Sequence, residues 1–243
     1  MRTSPLHALW KYLWVVPGVA ISTTFFGSIS MTFAFFDSSS TIAQIRIARV
    51  WARSLLWIIG VKIEVEGLEN ARGIDQAVWA SNHVSFMDIP VMLAHVPVQF
   101  FFLAKSELFA WPFIGWHLRS AGHVSVPLED PKASLRTLAN AAKLMNQRKV
   151  SLLFFPEGGR SESGELQEFK DGAAYIAIKA QVPVVPVAML GIRDILPMNT
   201  NDVKSGTVKL RFGKPIPTAG LTAQARAEIT TLTRAQIVDM LKR

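Results

Sequence analysis

Ala77-Val78-Trp79-Ala80-Ser81-Asn82-His83-Val84-Ser85-Phe86-Met87-Asp88 is the stretch on which the reading of this chain turns. A short apolar run passes into a polar turn, and Pro90 stands just beyond. Proline is tolerated in the first turn of a helix, where its missing N–H is no loss. The stretch therefore reads as strand, turn, and a helix opening near Asp88. His83 and Asp88 lie five positions apart, so on one ideal helix they would point about 140° from each other. With a turn between them they can meet. Imidazole suits proton transfer near neutral pH, and a carboxylate can hold its second nitrogen. The same letters allow a plainer reading: Ser85-x-x-Asp88 has the form of a capping box, which satisfies free N–H groups at a helix start.

On both sides of this unit the pattern repeats. Apolar or β-branched runs occur at 61–66, 77–81, 98–104, 123–126, 150–155, 184–189 and 208–212. Helical patterns lie between several of them. Residues 132–147 follow Asp130 as N-cap and Pro131 as first helical residue. Residues 168–180 place Phe169, Ala173, Ile176 and Ala180 on one face, and 221–241 carry a further apolar stripe. Apolar strands alternating with helices predict an α/β domain with a mostly parallel sheet of about seven strands, flanked by helices. No internal repeat and no low-complexity stretch is present.

In such sheets, ligands bind beyond the carboxyl ends of the strands. Polar residues collect at those ends. The second run leads into Asn82, His83 and Asp88, and the third into Lys105 and Glu107. The fifth leads into Pro156-Glu157-Gly158-Gly159-Arg160-Ser161, and the sixth into Gly191 and Arg193. If the strands are parallel, one edge gathers a base (His83), its orienter (Asp88) and the cations Lys105 and Arg160, with Arg193 as a third. Glycines let a backbone approach a ligand closely, and an arginine can grip a phosphate with two nitrogens. Glu157 can accept hydrogen bonds from a polyol or hold Arg160. The plain alternative for this turn is a surface Glu/Arg pair, and for Lys105 a solvated charge.

The N-terminal part differs in kind. Tyr12 to Phe36 carries no charged side chain. About 20 apolar residues suffice to cross a bilayer, whereas the apolar part of a signal peptide is only about 7–15 residues long. Pro17, Gly18 and Gly27 interrupt the segment, so both a single span and a re-entrant hairpin are open, beside a buried core helix. Residues 42–59 read as an amphipathic helix in which Arg46, Arg49 and Arg53 mix with Trp51 and Trp57. That composition suits a headgroup surface, and equally a helix packed on the domain. The slight excess of arginine after the apolar segment favours a cytoplasmic C-terminal side. We expect membrane-anchoring helices over 1–59 and one catalytic domain over 60–243.

Composition narrows the chemistry. The formal charge is +8 with 18% charged and 50% hydrophobic residues, a basic and apolar balance that suits an anionic or lipid partner. There are no cysteines, and the five histidines form no HExxH pattern, so no metal site is expected. Neither a P-loop, a G-x-G-x-x-G fingerprint nor a G-x-S-x-G elbow occurs. No basic run of five exists, which argues against nucleic acid. A His–Asp pair with no protein nucleophile fits direct attack by a substrate hydroxyl, with histidine as general base. With a phosphate clamp and an apolar anchor, the substrate reads as a phosphorylated lipid bearing a free hydroxyl.

Asn82-His83-x-x-x-x-Asp88 followed by Phe155-Pro156-Glu157-Gly158-Gly159-Arg160-Ser161 resembles the glycerolipid acyltransferase family, whose best-known members are the 1-acyl-glycerol-3-phosphate acyltransferases. Ala104-Lys105-Ser106-Glu107-Leu108, with Pro112 and Gly115, and Val182-Pro183-Val184-Val185-Pro186-Val187 are similar to further family blocks. The resemblance implies transfer of a fatty acyl group from acyl-CoA or acyl-carrier protein to a lysophospholipid hydroxyl, most simply lysophosphatidate, giving phosphatidate. It implies His83 as general base and Asp88 as its orienter. It also implies that Lys105 and Arg160 hold the phosphate and that Glu157 and Gly158 shape the acceptor site, with no cofactor, no metal and no covalent enzyme intermediate. A catalytic domain on the cytoplasmic face of a membrane completes the expectation. The chain departs from the family at Gly122-His123-Val124-Ser125-Val126-Pro127-Leu128, which lacks the usual Asp-Arg. Arg119, His123, Lys132 and Arg136 are the groups available to replace that arginine. Another lysolipid or a glycolipid acceptor, or a basic membrane-binding protein without catalysis, are the competing readings.

Overall fold

A computed structural model describes residues 4–36, 41–111, 114–127 and 130–242. Pro112 and Leu128, quoted above, lie outside them. The seven strands are β1 (Val61–Glu66), β2 (Val78–Ser81), β3 (Phe100–Lys105), β4 (Val124–Val126), β5 (Ser151–Phe154), β6 (Val184–Leu190) and β7 (Gly206–Phe212). They form one sheet in the order β1-β7-β6-β2-β5-β3-β4. β6, β2, β5, β3 and β4 run parallel. β7 is antiparallel to β6 and parallel to β1. The α/β architecture expected from the alternation is therefore present, and each run falls within two residues of its strand.

Side-chain alternation splits the interior into two layers. Trp79, Leu153, Val185 and Val187 face a core shared with Ala48, Ala52 and Leu56 and with Val91 and Met92. Val78, Ala80, Leu152 and Val184 face the other, with Ala141, Met145, Ile176 and Ile229. The first layer is built by α3 (Thr41–Ile59) and α4 (Asp88–His95). The second is built by α6 (Pro131–Arg148), α7 (Gly172–Ala180) and α9 (Arg226–Lys242). Short helices α5 (Ile114–Ser120) and α8 (Ile192–Ile195), which periodicity did not reveal, complete the chain.

Asp130 caps α6 as its letters predict, accepting from the amides of Lys132 and Ala133 at 3.0 Å. α7 opens four residues later than its apolar stripe. The amides that would start it are used elsewhere: Gln167 donates to the Glu157 carboxylate at 2.9 Å, and Lys170 donates to the Pro156 carbonyl at 2.9 Å. Tertiary hydrogen bonds override the local pattern here.

The N-terminal segment forms α1 (Pro5–Trp10), a π turn over Lys11–Val15, and α2 (Val16–Phe36). Pro17 does not break it. The preceding π turn, in which the Val16 amide reaches back to Lys11, absorbs the residue that lacks a donor. Pro5–Phe33 is long and apolar enough to cross a membrane, and only 17% of its most apolar window is buried by the rest of the chain. α3 returns antiparallel beside it. The Trp14 indole donates to the Ile58 carbonyl at 2.9 Å, Ser22 meets Ser54 at 2.6 Å, and the Trp51 indole donates to Thr23 at 3.2 Å. Gly18 permits the approach, since a Cβ there would lie 2.9 Å from the Ile58 side chain.

Candidate active site

β2 ends at Ser81, the chain turns, and α4 begins at Asp88. His83 Nδ1 lies 2.7 Å from Asp88 Oδ2. The same oxygen accepts from the amides of Val84 at 2.8 Å and Ser85 at 3.0 Å. The two sequence readings of this stretch are thus one arrangement: the carboxylate that orients the histidine also closes the turn before the helix. Ser85 contributes as well, its hydroxyl accepting from the Met87 amide at 3.2 Å and donating to the Leu196 carbonyl at 2.8 Å. A carboxylate oxygen only accepts, so Nδ1 carries the proton and Nε2 presents a lone pair. Asp88 is fully buried, while the His83 side chain keeps 18% of its surface open. No described residue hydrogen-bonds Nε2.

The β5 turn grips the backbone of His83 from both sides. Glu157 Oε1 accepts from the His83 amide at 2.7 Å, and the Ser161 amide donates to the His83 carbonyl at 2.8 Å. The second oxygen of Glu157 is held by the Gln167 amide. This carboxylate, expected to shape the acceptor site, is buried behind the histidine, where burial raises its pKa against the pull of the two amides. Gly158 takes a φ of +76°, and a Cβ on it would lie 2.8 Å from the Lys170 ammonium. Its part is to let the turn close. Asn82 likewise looks away from the cleft, exchanging two hydrogen bonds with the backbone of Met189 and so pinning β2 to β6.

Two aromatic rings that sequence reasoning did not single out complete the site. Phe155 stacks on the His83 ring at 3.9 Å with 14° between planes. Phe86 carries the Arg160 guanidinium on its face at 3.5 Å. The only sequence signal for either is adjacency, Phe155 to the Pro156 turn and Phe86 to Asp88. Arg160 Nη1 is buried with no hydrogen-bond partner, and burial lowers the arginine's pKa while the Asp88 charge raises it. The guanidinium is thus held flat on Phe86 beside the turn that carries His83. Lys105, at the exposed end of β3 opposite Val126, faces the same sheet edge two strands from His83. Arg193 does not join them: it donates to the Glu162 carbonyl at 2.8 Å and packs over Gly164.

Of the groups available to replace the missing arginine, His123 is excluded as a cation. It is buried against Phe102, ring centroids 3.7 Å apart, and burial with the neighbouring His117 drives its pKa down to about 3. Arg119 donates to the Phe109 carbonyl, while Lys132 and Arg136 stand exposed on α6. The His123 environment has a measurable consequence. The folded state disfavours the proton that an unfolded histidine binds near pH 6.5. Stability is therefore full above about pH 6.5 and falls as the pH drops toward 3, at up to about 1.4 kcal/mol per pH unit. Thermal unfolding of His123→Phe beside wild type should show a flatter acid limb in the variant; parallel limbs would count against this origin.

A family model described as Acyltransferase matches residues 62–190, which include three of the four strand-end loops and stop just before the one at Gly191. The chloroplastic 1-acyl-sn-glycerol-3-phosphate acyltransferase of Arabidopsis thaliana is 37% identical over 172 residues, 70% of this chain and 48% of the relative. The human 1-acyl-sn-glycerol-3-phosphate acyltransferase alpha is 28% identical over 181 residues, 74% of this chain and 64% of the relative. The chain thus spans about half to two thirds of the length of these curated relatives. The crystal structure of the 1-acyl-sn-glycerophosphate (LPA) acyltransferase of Thermotoga maritima superposes with a TM-score of 0.75 at 25% identity, covering 97% of this chain and 95% of that one.

Proposed function

Because this chain belongs to the acyltransferase family, we propose that it moves a fatty acyl group from a thioester donor to the free hydroxyl of lysophosphatidate, giving phosphatidate. The observation that carries the reading is the His83–Asp88 pair, its carboxylate buried and the imidazole partly open at Nε2, beside the Arg160 guanidinium.

In this mechanism Nε2 removes the acceptor hydroxyl proton as its oxygen attacks the thioester carbonyl. Asp88 stabilises the imidazolium that forms. The tetrahedral oxyanion collapses, the carbon–sulfur bond breaks, and the imidazolium returns its proton to the departing thiolate. Products are the diacyl lipid and a free thiol on coenzyme A or acyl-carrier protein. Lys105 and Arg160 hold the acceptor phosphate, while Glu157 and Gly158 act behind them, setting the turn that fixes the His83 backbone. Neither a metal nor a further cofactor is required. The apolar α1–α2 helix supports membrane association, where the substrate resides, and the excess of arginine after it favours a catalytic domain on the cytoplasmic face.

Detergent-purified protein given labelled acyl-CoA or acyl-carrier protein and a panel of lysolipids tests this directly. Transfer to lysophosphatidate is expected. In Arg160→Ala the KM for lysophosphatidate should rise about 10- to 100-fold, the loss of a charge-assisted contact, with a smaller change in kcat. Transfer only to a lysolipid without phosphate would instead assign the altered second block to a change of acceptor.

A further inference from the structure

The sequence leaves the arginines of α3 open between a headgroup surface and packing on the domain, and Arg49 turns inward onto the helix that carries Asp88. Its Nε donates to the Leu93 carbonyl at 3.2 Å, and one terminal nitrogen donates to the carbonyls of Val96 at 3.0 Å and Val98 at 2.9 Å. Arg53 adds longer contacts to the Ala94 carbonyl at 3.3 and 3.4 Å. Among the described residues neither arginine has a carboxylate partner.

The acceptors matter because of where they sit. A helix leaves its last carbonyls without partners, and a cation there also meets the negative end of the helix dipole. α4 is only eight residues long. Its first residue, Asp88, holds His83 Nδ1; its last turn and the strand approach to β3 hang on Arg49. A shift of α4 along its axis would move Asp88 with it, and misplacement by about 1 Å can cost about 100-fold in rate. α3 in turn is bonded to the apolar helix through Trp14, Ser22 and Thr23.

We propose that Arg49, seconded by Arg53, is a positioning residue for the His83–Asp88 pair, acting through α4, so that the N-terminal helical pair is part of the active-site framework and not an anchor alone. This rests on the acyl-transfer reading for its kinetic arm only.

The test compares full-length wild type, Arg49→Ala and Arg49→Lys in detergent micelles, where no bilayer need be bound. Steady-state transfer to lysophosphatidate is measured together with the low-field proton resonance of the His83 Nδ1–H···Asp88 bond, identified by its absence in His83→Gln. Arg49→Ala should lose at least tenfold in kcat with KM within twofold, and its low-field resonance should shift or broaden. Arg49→Lys, which keeps the charge but cannot span several carbonyls, should fall between, and it decides the matter if the alanine variant does not fold. Wild-type kcat with an unmoved resonance in both variants would overturn the proposal. So would a loss confined to KM. If wild type shows no transfer, the functional reading fails, and the resonance alone still decides whether Arg49 sets the pair.

Discussion

His83→Ala is expected to lower kcat by about 10²- to 10⁴-fold, the range associated with losing a positioned general base. Among the described residues no side chain hydrogen-bonds Nε2, and the neighbouring acids Asp88 and Glu157 are buried, each already accepting from N–H donors. The fold should survive, because the side chain contributes one hydrogen bond and one stacking contact while its backbone stays gripped by Glu157 and Ser161. Initial rates on lysophosphatidate, read beside thermal unfolding, make the check. A variant that unfolds like wild type and keeps more than a tenth of its rate would remove His83 from the chemistry.

Asp88→Asn should cost about 10²- to 10⁴-fold in kcat while leaving the fold in place. The amide oxygen can take over the Oδ2 position and its three donors. The amide nitrogen then falls where Oδ1 stands, a site without a partner. What is lost is the negative charge that stabilises the imidazolium. This substitution separates the two roles that one oxygen performs. If the carboxylate served only to close the turn, Asp88→Asn would turn over like wild type. Asp88→Ala, which strips the acceptor from three N–H groups, should lower both rate and melting temperature.

How far the letters reached is instructive at particular residues. The strands were legible because apolar runs of the right length are bounded by turns, and a parallel sheet then forces their polar ends to one edge. The His83–Asp88 meeting followed from the turn between them. Three things were not legible, for one physical reason: each depends on a partner distant in the chain. Glu157 is buried because the His83 amide, 74 residues away, needs an acceptor. Arg49 reads equally as a headgroup contact or a packed side chain until the carbonyls of Leu93, Val96 and Val98 decide it. His123 looks like a cation until Phe102 covers it. Phe155 and Phe86 give the same lesson for aromatics, whose apolar character says nothing of which imidazole or guanidinium they will lie against.

The sheet order β1-β7-β6-β2-β5-β3-β4 also sets a timetable for synthesis. β1 is among the first strands to leave the ribosome, yet its neighbour β7 is the last. β2, which leads into the turn that carries His83, needs β5 and β6 on its two sides. The apolar helical pair therefore emerges, and can enter a bilayer, well before any sheet can close behind it. Pairings so distant in sequence form slowly and leave strand edges exposed in the meantime. The topology thus leaves the sheet incomplete until β7, the last strand, is made, long after the apolar helix has emerged.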